Sequence, residues 1–272
     1  MEIFGVKISK VYYDEFFEKI KEPKEKMSIF TPNGEFLLNA RYDENYKDIL
    51  NKSDYNVPDG IGIWAAYQIL DNKMGKLLNA LLIPWYGLNL FIKRKQLYEK
   101  YGGRVLGSVL TKDLVEYANL KGYGITIIDK FQAPGNLGDN LKIKRQKVMS
   151  GDLMKKYPNV AFHHYIYKKE DQEKIISEIN KTNDIYLFSI QGRDVGQEKT
   201  IIELLPKLDK IKVAIGVGGS FDYLLGFKKR PPKIIAILGL EWLWRLGTHP
   251  VRMAKRIWNV LPVFLYEVVK SK

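Results

Sequence analysis

The stretch "DIYLFSIQGRDVGQEKTIIELLPKLDKIKVAIGVGGSFD", Asp184 to Asp222, decides the fold. It opens on a short β-branched and aromatic run and crosses a polar, glycine-bearing turn. It then continues as the helical pattern "QEKTIIELLPKL" and closes on a second apolar run, "KVAIGVG". Strands separated by helices in this way form a parallel sheet covered on both faces.

The same alternation extends outward in both directions. "MSIFTPN" reads as a strand, and "GEFLLNARYDENYKDILNK" as one amphipathic helix with Phe36, Leu37, Ala40 and Ile49 available to one face. "YNVPDG" is a short strand and turn, "IGIWAAYQIL" a helix, "TKDLVEYANLKG" a helix with Thr111 at its N-cap, and "YGITIID" a strand. "KFQAPGNLGDN" reads as a long loop, followed by helix "LKIKRQKVMSGDLMKKY", strand "VAFHHYIY" and helix "EDQEKIISEINKT". The alternation stops near Phe227 to Lys233, "FKKRPPK", which divides an α/β domain, 1–227, from a helical basic appendage, 228–272.

The chain's 272 residues suffice for one large α/β domain with a real core. Its 44 Lys+Arg against 31 Asp+Glu give a formal charge of +13, which favours an anionic partner: nucleic acid, phospholipid or a phosphorylated substrate. With no cysteine, a thiol nucleophile and zinc-thiolate sites are excluded. His163 and His164 face opposite ways in one strand and His249 stands alone, so no metal site is expected. The first residues carry no secretory signal pattern, and the chain is read as unexported.

Two segments carry apolar surface. "LLNALLIPWYGLNLFI", Leu77 to Ile92, is charge-free and flanked by Lys73, Lys76, Lys93, Arg94 and Lys95. As a helix it would reach about 24 Å against a hydrocarbon core of about 30 Å, too short to span. Broken near Pro84 and Gly87, it reads either as an interfacial hairpin or as a buried helical hairpin of the core. In the tail, eight Lys/Arg between Lys228 and Arg256 face one acid, Glu241. Arg252, Lys255 and Arg256 fall on one arc of a helix and Met253, Ile257, Val260 and Leu261 on the other, with Pro262 ending or kinking it. An interfacial helix accounts for both arcs. Both segments are expected on one side of the molecule, near the mouth of the site.

In parallel sheets, ligands bind where strands end, because loop amides and helix N-termini converge there. "TPNGE", "VPDGIG", "IQGRDVGQE" and "GVGGSFD" occupy such turns. Asp59 either caps a helix or acts as a general base on a hydroxyl. Gly34, Gly60 and Gly62 would let backbone approach a ligand. Gly218 and Gly219 suit a diphosphate or tight packing, without the signature of a P-loop or a dinucleotide fingerprint.

Taken in order, these turns resemble the WecG/TagA/CpsF family of bacterial glycosyltransferases. The resemblance rests on Thr31-Pro32-Asn33, Asp59-Gly60-Ile61-Gly62, "RVLGS" with Arg104, Gly107 and Ser108, and Gln197-Glu198. It continues through "VGGSFDYLLG", from Val217 to Gly226, and a tail with Arg230, Pro232, Lys233, "GLEWLWRL", Pro250 and Arg252. It implies a Rossmann-like sheet and a metal-independent, inverting transferase without cofactor. Such an enzyme moves N-acetylmannosamine or a related hexose from a UDP-sugar to a polyprenyl-diphosphate-linked sugar, as in wall teichoic acid and enterobacterial common antigen synthesis. By the same resemblance Asp59 is the catalytic base. Thr31, Asn33, Arg104, Gly107, Ser108, Gln197, Glu198, Gly218, Gly219 and Asp222 line the substrate site. Arg230, Arg245, Arg252 and Arg256 meet diphosphate and membrane. The implied location is cytoplasmic, peripheral on the inner membrane face, with an anionic membrane surface as partner, no nucleic acid, and a homo-oligomer left open.

The chain departs from the family pattern at Leu106 and Val109, at Arg193 to Gly196, in "FHHYIYKKED", and in the Leu77 to Ile92 and "KFQAPGNLGDN" additions. These departures leave the donor sugar open. A member using another nucleotide sugar, or a non-catalytic basic protein binding anionic lipid or RNA, is the alternative reading.

Overall fold

A computed structural model describes residues 1–130, 149–192, 196–227, 232, 235, 241–248 and 250–272. Residues 131–140 of the loop expected from Lys130, residues 141–148 of the helix expected at 141–157, and Arg230 and Lys233 lie outside the described residues, as do the side chains of Arg245, Arg252 and Arg256.

Eight strands are described. β1 (Glu2–Ile3) and β2 (Val6–Lys7) form a small antiparallel pair. The other six are β3 (Met27–Phe30), β4 (Tyr55–Asn56), β5 (Gly124–Lys130), β6 (Phe162–Tyr167), β7 (Asp184–Ser189) and β8 (Val213–Gly216). They form one sheet in the order β4-β3-β8-β7-β5-β6, and each neighbouring pair is parallel. This is the parallel α/β architecture that the alternation predicts, and it is consistent with the Rossmann-like sheet that the resemblance implies. Every residue of β3 and β8 is buried, as expected of strands covered on both faces, and this explains their unbroken apolar runs.

Helices α1 (Tyr13–Lys21), α2 (Gly34–Tyr42), α3 (Glu44–Asn51), α4 (Gly62–Asp71), α5 (Lys76–Leu81), α6 (Ile83–Ile92), α7 (Arg94–Tyr101) and α8 (Gly107–Lys121) precede β5. Later helices include Gln172–Asn180, Gln197–Leu204, Phe221–Leu224, Glu241–Thr248 and Pro250–Ser271. One hydrophobic cluster joins α2, α4, α6, α7 and the end of the Pro250–Ser271 helix. A second, on the opposite face, joins α1, α8 and the Phe221–Leu224 helix.

Four boundaries differ from the sequence expectation. The helix expected at 34–52 is two helices, because Asp43 leaves helical geometry and its Oδ1 caps α3 at the Tyr46 N–H. Its core residues are Leu37, Ala40 and Leu50, with Phe36 and Ile49 only half-buried. α8 starts four residues before Thr111, whose hydroxyl bonds back to the Gly107 carbonyl at 2.6 Å instead of capping. The Leu77 to Ile92 segment is not a hairpin turning at Pro84. It stays helical through a single break at Leu82, and Pro84 sits in the first turn of α6, where its missing N–H costs nothing. The last helix runs through Pro262 without ending there.

The end of the tail packs into the core. Phe264 and Val268 are fully buried, and Leu265 and Val269 nearly so. Phe264 meets the Phe4 ring edge-on at 5.9 Å. Arg41 of α2 pairs with the buried Glu267 at 2.6 Å and covers the Phe4 ring.

Candidate active site at the strand ends

β3 and β8 are neighbours, yet the chain leaves them toward opposite faces: α2 follows β3 on one side, and the Phe221–Leu224 helix follows β8 on the other. Between such divergent connections a crevice opens at the carboxyl edge of the sheet. The turns singled out from sequence converge there.

Thr31 follows β3 directly and its hydroxyl donates to the Gly216 carbonyl at the end of β8, 3.2 Å away, tying the two strand ends together. Asn33 is the N-cap of α2; its Oδ1 accepts the N–H groups of Glu35 at 2.9 Å and Phe36 at 3.4 Å. The Asp59 N–H donates to the Pro32 carbonyl at 3.0 Å, which brings the second turn against the first. Gly60 turns the chain with φ +110°, a conformation in which a side chain would be strained. The cap position of α4 falls to Ile61, leaving Asp59 half-buried two residues before it.

Gly34 and Gly62, expected to let backbone approach a ligand, lie against the C-terminal helix. A Cβ on Gly34 would meet Phe264 Cδ1 at 3.0 Å, and one on Gly62 would meet Leu261 Cδ1 at 2.9 Å. At Gly34 the neighbour is the fully buried Phe264 ring, so a side chain there would crowd the core; at Gly62 it is the tip of the exposed Leu261 side chain, which can give way. The helix runs alongside α4, since Leu261 lies at its start and Lys272 Nζ reaches the Ile69 carbonyl near its end. Residues 250–260 thus continue past the start of α4 for about 16 Å on the carboxyl-edge side. The backbone positions of Arg252 and Arg256 lie in that extension.

The "RVLGS" segment is anchored beside Asp59, because the Val105 N–H donates to the Pro58 carbonyl at 3.0 Å. This sets the first turn of α8, with Gly107 and Ser108, next to the Asp59 turn. Arg104 is half-buried with its guanidinium carbon 5.9 Å from the centre of the Trp64 ring. Trp64 is buried, and its indole N–H has no acceptor among the described residues.

On the β8 side Gln197 acts as a clamp. Its Oε1 accepts the Gly192 N–H at 3.3 Å and the Gly218 N–H at 3.1 Å, and its Nε2 donates to Glu198 Oε1 at 2.6 Å. Gln197, Glu198 and Asp222 are all buried, whereas Gly219 is exposed. Gly192, Gly196 and Gly218 have positive φ in these turns. Gln197 thus spends most of its amide holding the loops that follow β7 and β8, and among the described residues one Nε2 hydrogen is left uncommitted.

The two adjacent histidines of β6 face carboxylates away from these turns. His163 Nδ1 lies 2.9 Å from the buried Asp184, which also accepts from Thr126 at 2.6 Å. His164 Nε2 lies 3.5 Å from Asp129 on the other side of the strand.

A parallel sheet with a half-buried carboxylate, an arginine against an indole, a helix N-terminus and glycine turns at its carboxyl edge is built as a ligand-binding α/β enzyme would be. The chain belongs to the Glycosyl transferase WecG/TagA/CpsF family, whose profile it matches over residues 1–84 and 86–272. It is 23% identical over its whole length, and over 93% of the relative's, to an N-acetylglucosaminyldiphosphoundecaprenol N-acetyl-beta-D-mannosaminyltransferase of Staphylococcus aureus strain MRSA252. The proteins of that name from strains NCTC 8325 and COL are each 24% identical over the same spans.

Proposed function

We propose that this chain transfers N-acetylmannosamine or a related hexose from a UDP-sugar to a polyprenyl-diphosphate-linked N-acetylglucosamine, with inversion at the anomeric carbon. The observation that carries this reading is the convergence of the Asp59 turn, Arg104 and the first turn of α8 at the β3–β8 crevice, in a chain of this family. The names of the relatives supply the acceptor class.

The chemistry follows from the arrangement. Asp59 takes the proton from the acceptor hydroxyl as its oxygen forms a bond to the anomeric carbon. The bond from that carbon to the UDP oxygen breaks on the opposite face, and UDP leaves with the electron pair. The leaving diphosphate is stabilised by guanidinium charge and backbone N–H groups, for which Arg104, the α8 N-terminus, the Gly218–Gly219 turn and the tail arginines Arg230, Arg245, Arg252 and Arg256 are the candidates. Thr31, Asn33 and Gln197 hold the rim in shape, and Ser108 and Asp222 complete the proposed lining. These donors give the diphosphate its countercharge without a metal ion. Because the acceptor is a lipid, the enzyme works as a peripheral protein at the inner membrane face. No helix among the described residues is long and apolar enough to cross a membrane.

A donor screen tests class and specificity together. Purified full-length protein is incubated with a polyprenyl-diphosphate-N-acetylglucosamine acceptor and individual UDP-sugars, with and without EDTA. Acceptor-dependent UDP release with one hexosamine donor, unaffected by EDTA, is expected. Absence of release with all donors would remove the reading, and loss on EDTA treatment would overturn its metal-independence.

A further inference from the structure

α6 is apolar on two sides. Tyr86, Asn89 and Leu90 face inward, where Tyr86 bonds Asn72 and Asn79 and Asn89 bonds Gln68 of α4. Trp85, Leu88, Phe91 and Ile92 face solvent, and Leu77, Leu78 and Leu81 of α5 do the same, Leu77 being 79% exposed and Leu81 70%. A helix apolar all round belongs in a core. Here one side is anchored in the core and the other is uncovered. A cluster of seven large apolar side chains on two consecutive helices exceeds the scattered exposure normal for a protein surface.

The charges around it are one-sided. No Asp or Glu occurs between Asp71 and Glu99. Lys73, Lys93 and Lys95 are exposed and Arg94 half-exposed, and among the described residues none of the four is paired with a carboxylate. Lys76 reaches the Lys270 carbonyl at 2.8 Å, pinning α5 to the C-terminal helix. Both segments therefore lie on the same face of the sheet, joined through α4.

We propose that the outer side of α5 and α6 is a lipid-docking surface, with Leu77, Leu81, Trp85, Leu88 and Ile92 entering the headgroup boundary and Lys73, Lys93 and Lys95 meeting anionic headgroups. It takes its purpose, though not its geometry, from the lipid-linked acceptor reading. A second copy of the chain fits less well. A two-fold interface would set the same unpaired cations of each copy against one another. An anionic bilayer satisfies the apolar side and the charge together.

The test uses full-length protein and flotation with vesicles of phosphatidylcholine, alone or with phosphatidylglycerol. Wild type should float with the phosphatidylglycerol vesicles, and Leu81→Glu/Leu88→Glu should reduce the bound fraction at least tenfold with an unchanged circular dichroism spectrum. Lys93→Glu/Lys95→Glu, on exposed side chains, should reduce it severalfold even if the leucine pair impairs folding. Flotation of the folded leucine variant or of the lysine variant equal to wild type overturns the proposal. So does a wild-type dimer that the leucine pair dissociates while neither floats. Transfer to a short-chain, water-soluble acceptor separates the two readings: lost transfer with normal flotation counts against the transferase, and normal transfer with substitution-insensitive flotation counts against the surface.

Discussion

At the carboxyl rim of the sheet, polar side chains are drawn inward and matched, Thr31 to Gly216, Asn33 to the start of α2 and Gln197 to two glycine N–H groups. Along α5 and α6 apolar side chains are instead turned outward and left uncovered. The rim needs fixed geometry, which buried hydrogen bonds provide because breaking one leaves a partner without water. The outer helices need a surface that a fluid partner can cover, so breadth and charge matter there more than register. The C-terminal helix belongs to both regions, since Phe264 and Leu261 seat against Gly34 and Gly62 of the rim turns while its other side stays exposed at Val263 and Tyr266.

Substitutions that erase this contrast should follow a graded order. Phe264→Ala empties a fully buried site between Gly34 and Phe4, and should cost about 3–5 kcal/mol in urea unfolding. A cost near zero would show that the tail is not part of the core. Gln197→Ala leaves the Gly192 and Gly218 N–H groups without their acceptor, and should cost about 1–3 kcal/mol. It should also raise KM for the donor more than Thr31→Val does. Thr31→Val removes one hydrogen bond and should cost about 1 kcal/mol.

The smallest effect is a pH dependence where α4 meets α7. Burial alone would raise the Asp71 carboxyl, but hydrogen bonds from Lys100 and Tyr101 outweigh it and hold the group below its ordinary value. A depressed carboxyl stabilises the fold above its unfolded pKa and loses that contribution as pH falls through the folded value. Asp71→Asn should therefore flatten the acid limb of a stability–pH curve below about pH 4 and change little at neutral pH. An unchanged acid limb would show that the contact contributes nothing.

The alternation of strands and helices was readable because β-branched runs and helical patterns differ in period, and so was the clustering of the turns, since strand ends of a parallel sheet share one edge. What escaped reading depended on distant partners. Nothing local in "TPNG" or "DGIG" announces that Phe264 and Leu261 pack against those glycines. Gln197 reads as a ligand contact until its partners, five and 21 residues away, are seen to be backbone N–H groups. The break at Asp43 was hidden because an Asp at the polar side of a helix looks the same as one that caps the next. Pro84 looked like the turn of a hairpin, although proline at the start of a helix is equally at ease.

Asp59 is the residue on which the proposed chemistry rests. The measurement that tests it most directly is the single-turnover rate of sugar transfer to the lipid-linked acceptor by wild type and Asp59→Asn, with donor binding checked by calorimetry. The account predicts a fall of about 10²–10⁴-fold in the rate with donor affinity kept within a few-fold. Equal, acceptor-dependent rates for the two proteins would contradict it.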